Sequence, residues 1–156
     1  MIQLDHIADH LDRSFIGGAW HGPGVMELLR SIDAETAGKR PANDAHNIAE
    51  LVLHLHITNT LVIDRAEGKA GQVDEDIFFQ ACYALSPEDW HTMVNNLQQS
   101  HAKLVGLVRS FDRSRLHEPL YENDTSAFEH FLGSIQHNTY HAGQIALLKR
   151  LTAETS

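Results

Sequence analysis

SIQHNTYHAGQIALLKR, residues 134–150, is a helix-favouring run that carries two histidines four residues apart, His137 and His141. Positions i and i+4 share one helix face, with Cβ atoms about 5–6 Å apart, so both rings can reach one ion. Imidazole is a borderline-soft nitrogen ligand suited to zinc, nickel, copper or iron. Two ligands do not complete a site, so a third is expected from elsewhere in the fold. Spacing alone does not single the pair out, because the chain has 12 histidines and His6 and His10 share the same spacing.

Around this run the helical pattern extends from about Ser126 to Leu151, roughly 40 Å at 1.5 Å per residue. Phe128, Phe131, Ile135, Ala142 and Ile145 fall in one sector, and His130, His137, His141 and Leu148 in the next. The pair therefore lies beside the apolar sector, where a bundle would partly enclose it. Before it, Asp112 to Thr125 reads as a connection punctuated by Pro119 and Asn123-Asp124. Ser86-Pro87-Glu88-Asp89 reads as a helix start: a capping Ser, Pro at the first helical position, acids in the first turn. Trp90, Met93, Val94, Leu97, Leu104, Val108 and Phe111 then repeat at bundle spacing. His101 interrupts that stripe and is read as a core histidine satisfied by a hydrogen bond.

A second long helix is expected from about His46 to Glu67, ending at Gly68. Its two histidines, His54 and His56, are about 200° apart, so only one can face a given core. His54 shares its side with Glu50, Leu51, Ile57, Thr58 and Leu61, a mixture of apolar residues and a carboxylate. That makes His54 the candidate third ligand. Residues 68–85 start as a polar loop and turn apolar; Phe78, Phe79, Cys82, Tyr83 and Leu85 read as a satellite patch packed over the bundle. Residues 33–45 read as a loop, on Gly38, Pro41, Asn43 and Asp44.

Nearer the N-terminus, Leu4, Ile7, Ala8, Leu11 and Phe15 form a helical stripe over residues 3–16, with His6 and His10 on the solvent side. Gly17 and Gly18 break that helix. Trp20 to Gly24 is a turn, and Trp20 is expected to pack into the core. A further helical stretch starts near Pro23. No strand alternation is present, and four long helical stretches predict an all-α four-helix bundle.

The 156 residues fit a single domain over 1–156, enough to bury about 70% of the unfolded surface. A net charge of −9 with scattered Lys and Arg argues against nucleic acid and anionic lipid as partners. A single cysteine, Cys82, excludes an intrachain disulfide and a cysteine-based zinc cluster. Neither a signal peptide nor a membrane span is expected, and the expected compartment is the cytoplasm.

Trp20-His21-Gly22-Pro23, then His46-Asn47-Ile48-Ala49-Glu50-Leu51-Val52-Leu53-His54, then His137-Asn138-Thr139-Tyr140-His141-Ala142-Gly143-Gln144-Ile145 together resemble the DinB/YfiT-like superfamily. The order and spacing match along nearly the whole chain. The resemblance implies a four-helix bundle, often a homodimer, that binds one divalent metal through three histidines; residue by residue these are His54, His137 and His141. Zinc or nickel is the expected ion. Family activities imply thiol chemistry: some members are bacillithiol or other low-molecular-weight thiol S-transferases, a related protein is a mycothiol-dependent maleylpyruvate isomerase, and many are labelled metal-dependent hydrolases.

The expected function is thus a metal-dependent thiol S-transferase, with a small-molecule thiol and an electrophilic substrate as partners. A hydrolase using metal-bound water and a non-catalytic metal or small-molecule binding protein are the alternatives. Glu50 is a candidate for holding a ligand histidine from behind, for a general base, or for pairing with Lys or Arg. Gln144, one turn after His141, is a candidate to line the site.

Overall fold

The computed structural model describes residues 4–41, 45–69, 80–82, 84–121 and 124–154. Helix α1 spans Leu4–Ile16, α2 Val25–Leu29, α3 Ala34–Gly38, α4 Ile48–Ala66, α5 Pro87–Ser110 and α6 Ala127–Glu154, with a 3₁₀ turn at Arg113–Arg115. Among the described residues there is no strand; the two β-bridges, Ala19 with Gly22 and Pro119 with Ser126, are isolated. The all-α architecture is the expected one.

The ends of the long helices follow local chemistry. The Asn47 side chain accepts from Glu50 N at 2.9 Å and starts α4; Gly68, at φ 79°, follows the end of that helix. Ser86 and Asp89 bond reciprocally, Asp89 N to Ser86 Oγ at 3.1 Å and Ser86 N to Asp89 Oδ2 at 3.1 Å. Such a pair satisfies two amide donors that a helix start would otherwise leave open.

Packing joins the four long helices into a ring: α1 on α5, α5 on α4, α4 on α6 and α6 on α1. Two apolar clusters divide its length. One holds Ile48, Leu51 and Leu55 of α4, Trp90 and Leu97 of α5, and Ala142, Ile145 and Leu148 of α6. The other holds Val62 and Ile63 of α4, Leu104 and Val108 of α5, Ala127 and Phe131 of α6, and Leu4 to Leu11 of α1. Each fully buried Leu or Ile contributes about 1.5–3 kcal/mol of transfer free energy. The shared clusters also fix direction: α4 and α5 run the same way, and α6 runs opposite to both. The start of α4 therefore lies beside the later half of α6.

Three local readings are corrected. Residues 34–38, expected in a loop, form α3, because Asp33 accepts from Thr36 N at 2.9 Å and caps one turn. The helix expected from Pro23 is only the five residues of α2. Trp20 is 97% exposed rather than packed. It stands on a turn whose glycines Gly18 and Gly22 hold φ of 81° and 131°, a region closed to most side chains. The turn folds tightly against the end of α1, since a Cβ on Gly24 would meet Gly17 N at 2.6 Å and Phe15 O at 2.7 Å. Of the patch expected over the bundle, Cys82 and Leu85 pack on the first cluster, while Phe78, Phe79 and Tyr83 lie outside the described residues.

His101 is buried, stacked on Phe15 with ring centroids 3.8 Å apart. Its Nε2 lies 3.4 Å from Asp12 Oδ1, and neither ring nitrogen makes a hydrogen bond. The satisfied core histidine expected from the stripe is thus buried but unsatisfied. Burial pushes its pKa down to about 4, with Asp12 opposing. The folded chain binds fewer protons here than the unfolded one between 6.5 and about 4, so stability is full above 6.5 and falls as pH drops through that window. The gap corresponds to on the order of 3 kcal/mol. Denaturant titrations at pH 7 and pH 4.5 check this: His101→Leu flattens the fall, and an unchanged slope would contradict the assignment.

Candidate metal centre

His54 comes from α4, and His137 and His141 from successive turns of α6. His137 Nε2 lies 3.0 Å from His54 Nε2 and 2.9 Å from His141 Nε2. All three ligand atoms fall within 4.8 Å of one another. The antiparallel run of α4 and α6 allows this, because it lets one face of α4 meet the single face shared by positions 137 and 141.

With Gln144 Oε1 against His141 Nδ1, hydrogen bonding leaves these nitrogens in conflict. An imidazole nitrogen carries either one N–H or one lone pair. His141 Nδ1 is 2.6 Å from Gln144 Oε1, an acceptor, so Nδ1 holds the proton and Nε2 offers a lone pair. If His137 Nε2 donates to it, it has nothing left for His54. If it does not, two lone pairs face each other. A cation at the point of convergence removes the conflict, and the 2.9 and 3.0 Å separations are ones that nitrogens about 2.0–2.1 Å from one ion can take. The donor set therefore fits a divalent metal.

The surroundings keep His137 and His141 in the ligand form. Burial, then the neighbouring His141 and His54, push His137 down to about 4. Burial also lowers His141, with the Gln144 bond opposing. Gln144 Nε2 donates to Tyr140 Oη at 3.3 Å, which aims its oxygen at His141. Holding a ligand ring from behind in this way fixes tautomer and orientation.

Glu50 is fully buried. Oε1 pairs with Arg40 and accepts the Cys82 N–H at 3.3 Å; Oε2 lies 2.9 Å from His46 Nδ1. Asn47 completes the knot by donating to Gly38 O at 3.2 Å and Cys82 O at 2.7 Å. Of the roles open from sequence, its contact with Arg40 matches pairing with a cation. His46 and Arg40 were not singled out in the sequence. The available signal for His46 was its i, i+4 spacing to Glu50.

The remaining histidines stand elsewhere. His6 and His10 are exposed on α1. His56 lines a groove between α4 and α5 with Asn96 and Lys103. His130 pairs with Asp124 at 2.9 Å, where Arg65 also bonds at 3.2 Å. Cys82 is half-buried, and burial, then Glu50, raises its thiol pKa.

Comparison with known proteins adds the following. The sequence model of the DinB superfamily matches residues 19–145. A solved structure described as that of the conserved protein of locus from Enterococcus faecalis is similar in fold, with a TM-score of 0.71 at 14% identity, covering 99% of each chain. No curated protein matches the chain significantly.

Proposed function

We propose that this chain, which belongs to the DinB superfamily, holds one divalent metal at His54, His137 and His141 and uses it as a thiol S-transferase. The observation that carries the reading is the convergence of three imidazole nitrogens from two helices within 4.8 Å of one another. A divalent ion held by three neutral imidazoles keeps its charge, and it makes a bound thiol or water a nucleophile near neutral pH. The chain's part is to hold His137 and His141 neutral and to fix His141 through Gln144. Its own thiol is a poor nucleophile, because burial holds Cys82 in the protonated form. A small external thiol is therefore the expected nucleophile, with an electrophilic small molecule as acceptor.

Metal-free protein titrated with zinc or nickel tests the centre. Saturation at 100 times Kd should raise stability by about 2.7 kcal/mol, reversed by a chelator. Turnover is tested with bacillithiol, mycothiol or glutathione and a chlorinated aromatic acceptor. Loss of conjugation in His54→Ala supports the reading; equal rates in both proteins remove the metal from the mechanism. Tight small-molecule binding with no conjugation points instead to a binding protein.

We also propose a homodimer. Leu132, Tyr140, Leu147 and Leu151 leave an exposed apolar stripe along α6, wider than a solvent-facing helix surface needs. Light scattering at twice the monomer mass supports it, and a clean monomer contradicts it.

A further inference from the structure

The three-His centre leaves a second pair of histidines unused. Among the 12 histidines two pairs stand four residues apart, His137 with His141 and His6 with His10. The second pair lies on α1, and both residues are exposed. Positions four apart on a helix put Cβ atoms about 5–6 Å from each other on one face, a reach that lets two imidazoles close on one ion. Among the described residues neither ring has a hydrogen-bond or ion-pair partner, so both rings are free to turn towards a common point.

The two rings also line one groove. Ile7 of α1 and Phe128, Leu132 and Ile135 of α6 complete it, around a volume of ≈ 420 Å³. That is within the size range of small-molecule sites, which combine an apolar lining with a few polar groups. The groove is separate from the three-His centre. At 3.6 residues per turn, His137 and His141 lie about 140° and 180° round α6 from Leu132, on the far side of the helix. Imidazole suits zinc, copper and nickel, and a net charge of −9 favours a cation over an anion at this surface.

We propose that His6 and His10 hold a second divalent transition-metal ion, and that the groove seats the apolar part of a small nitrogen-donor molecule that completes its coordination. Two protein ligands leave positions open on the ion, and Ile7, Phe128, Leu132 and Ile135 offer an apolar surface beside them. The donor atom binds the metal while the apolar body leaves water. This site does not depend on the metal reading of His54, His137 and His141.

The experiment follows amide NMR signals as Cu²⁺, the ion that nitrogen ligands bind most tightly in the divalent series, is added to the parent chain. The expected result is paramagnetic broadening around residues 6–10 and 128–135. His6→Ala and His10→Ala should each weaken binding there by at least about 10-fold, because loss of a group that merely supports a ligand already costs about 10–100-fold. Both positions are exposed, and His6→Gln and His10→Gln repeat the test with longer polar side chains. With Zn²⁺ in place of Cu²⁺, 4-phenylimidazole should shift the methyl signals of Ile7, Leu132 and Ile135 and bind about 10-fold tighter than imidazole, from burial of its phenyl ring. No broadening around residues 6–10 overturns the site. Broadening that survives in all four variants also overturns it, since the ion would then be held by other groups. Unshifted methyls, or equal affinity for the two bases, overturn the part given to the groove. Broadening around His54, His137 and His141 alone leaves the three-His centre standing and removes this site.

Discussion

His137→Ala is expected to abolish tight zinc or nickel binding while leaving the metal-free chain within about 1 kcal/mol of the parent. His137 Nε2 is the nitrogen in contact with both others, at 3.0 Å from His54 and 2.9 Å from His141. Without it, two protein ligands remain. Loss of a group that merely supports a ligand lowers metal affinity about 10–100-fold, so loss of a ligand should exceed 100-fold. The metal-free chain behaves differently because the same substitution removes a set of facing nitrogens that cannot all be satisfied. Calorimetric titration with metal, paired with thermal melts in chelator, separates the two effects. Retained tight binding would refute the ligand assignment. A variant that unfolds in chelator would make His137 a structural residue first.

The second large effect falls on stability. Glu50→Ala should destabilise the metal-free chain by about 3–5 kcal/mol, the range for breaking a buried ion pair by deleting one partner. The Glu50 carboxylate accepts from Arg40, His46 and the Cys82 N–H. Deleting it strips all three at once, at the point where α4, the segment before α5 and the residues ahead of α4 are tied together. Urea titration should move the midpoint down by more than about 1 M without changing the slope. Metal affinity of the folded variant should change little, since neither Nε2–Nε2 contact involves Glu50. A loss of metal affinity with stability unchanged would reverse the assignment and make Glu50 a support of the centre.

Much of this architecture is local, and local features are readable. Helices α1, α4, α5 and α6 follow from apolar periodicity and from caps such as Asn47 and Ser86, which act within three or four residues of chain. The pairing of His137 with His141 has the same character, since i and i+4 share a face in any α-helix. The choice of His54 over His56 used the angle between them together with the residues on the His54 side, Glu50, Leu51, Ile57, Thr58 and Leu61. The readings that failed turned on distant partners. Trp20 carries the composition of a core residue, yet three-dimensional packing of Gly24 against Phe15 and Gly17 sets the turn that leaves it in solvent. His101 sits in an apolar stripe, but only the approach of α1 decides that Phe15 covers its ring and that Asp12 stops at 3.4 Å. Glu50 shares a face with His54, and the sequence left three roles open. Its bonds to Arg40 and Cys82 join residues 10 and 32 positions away. The sequence by itself determined which segments are helical and which face of each is apolar. The tertiary structure decided direction and register, placing the start of α4 beside the later half of α6. That placement brings three imidazoles to one point, because contacts between helices depend on their mutual offset and no local pattern encodes it.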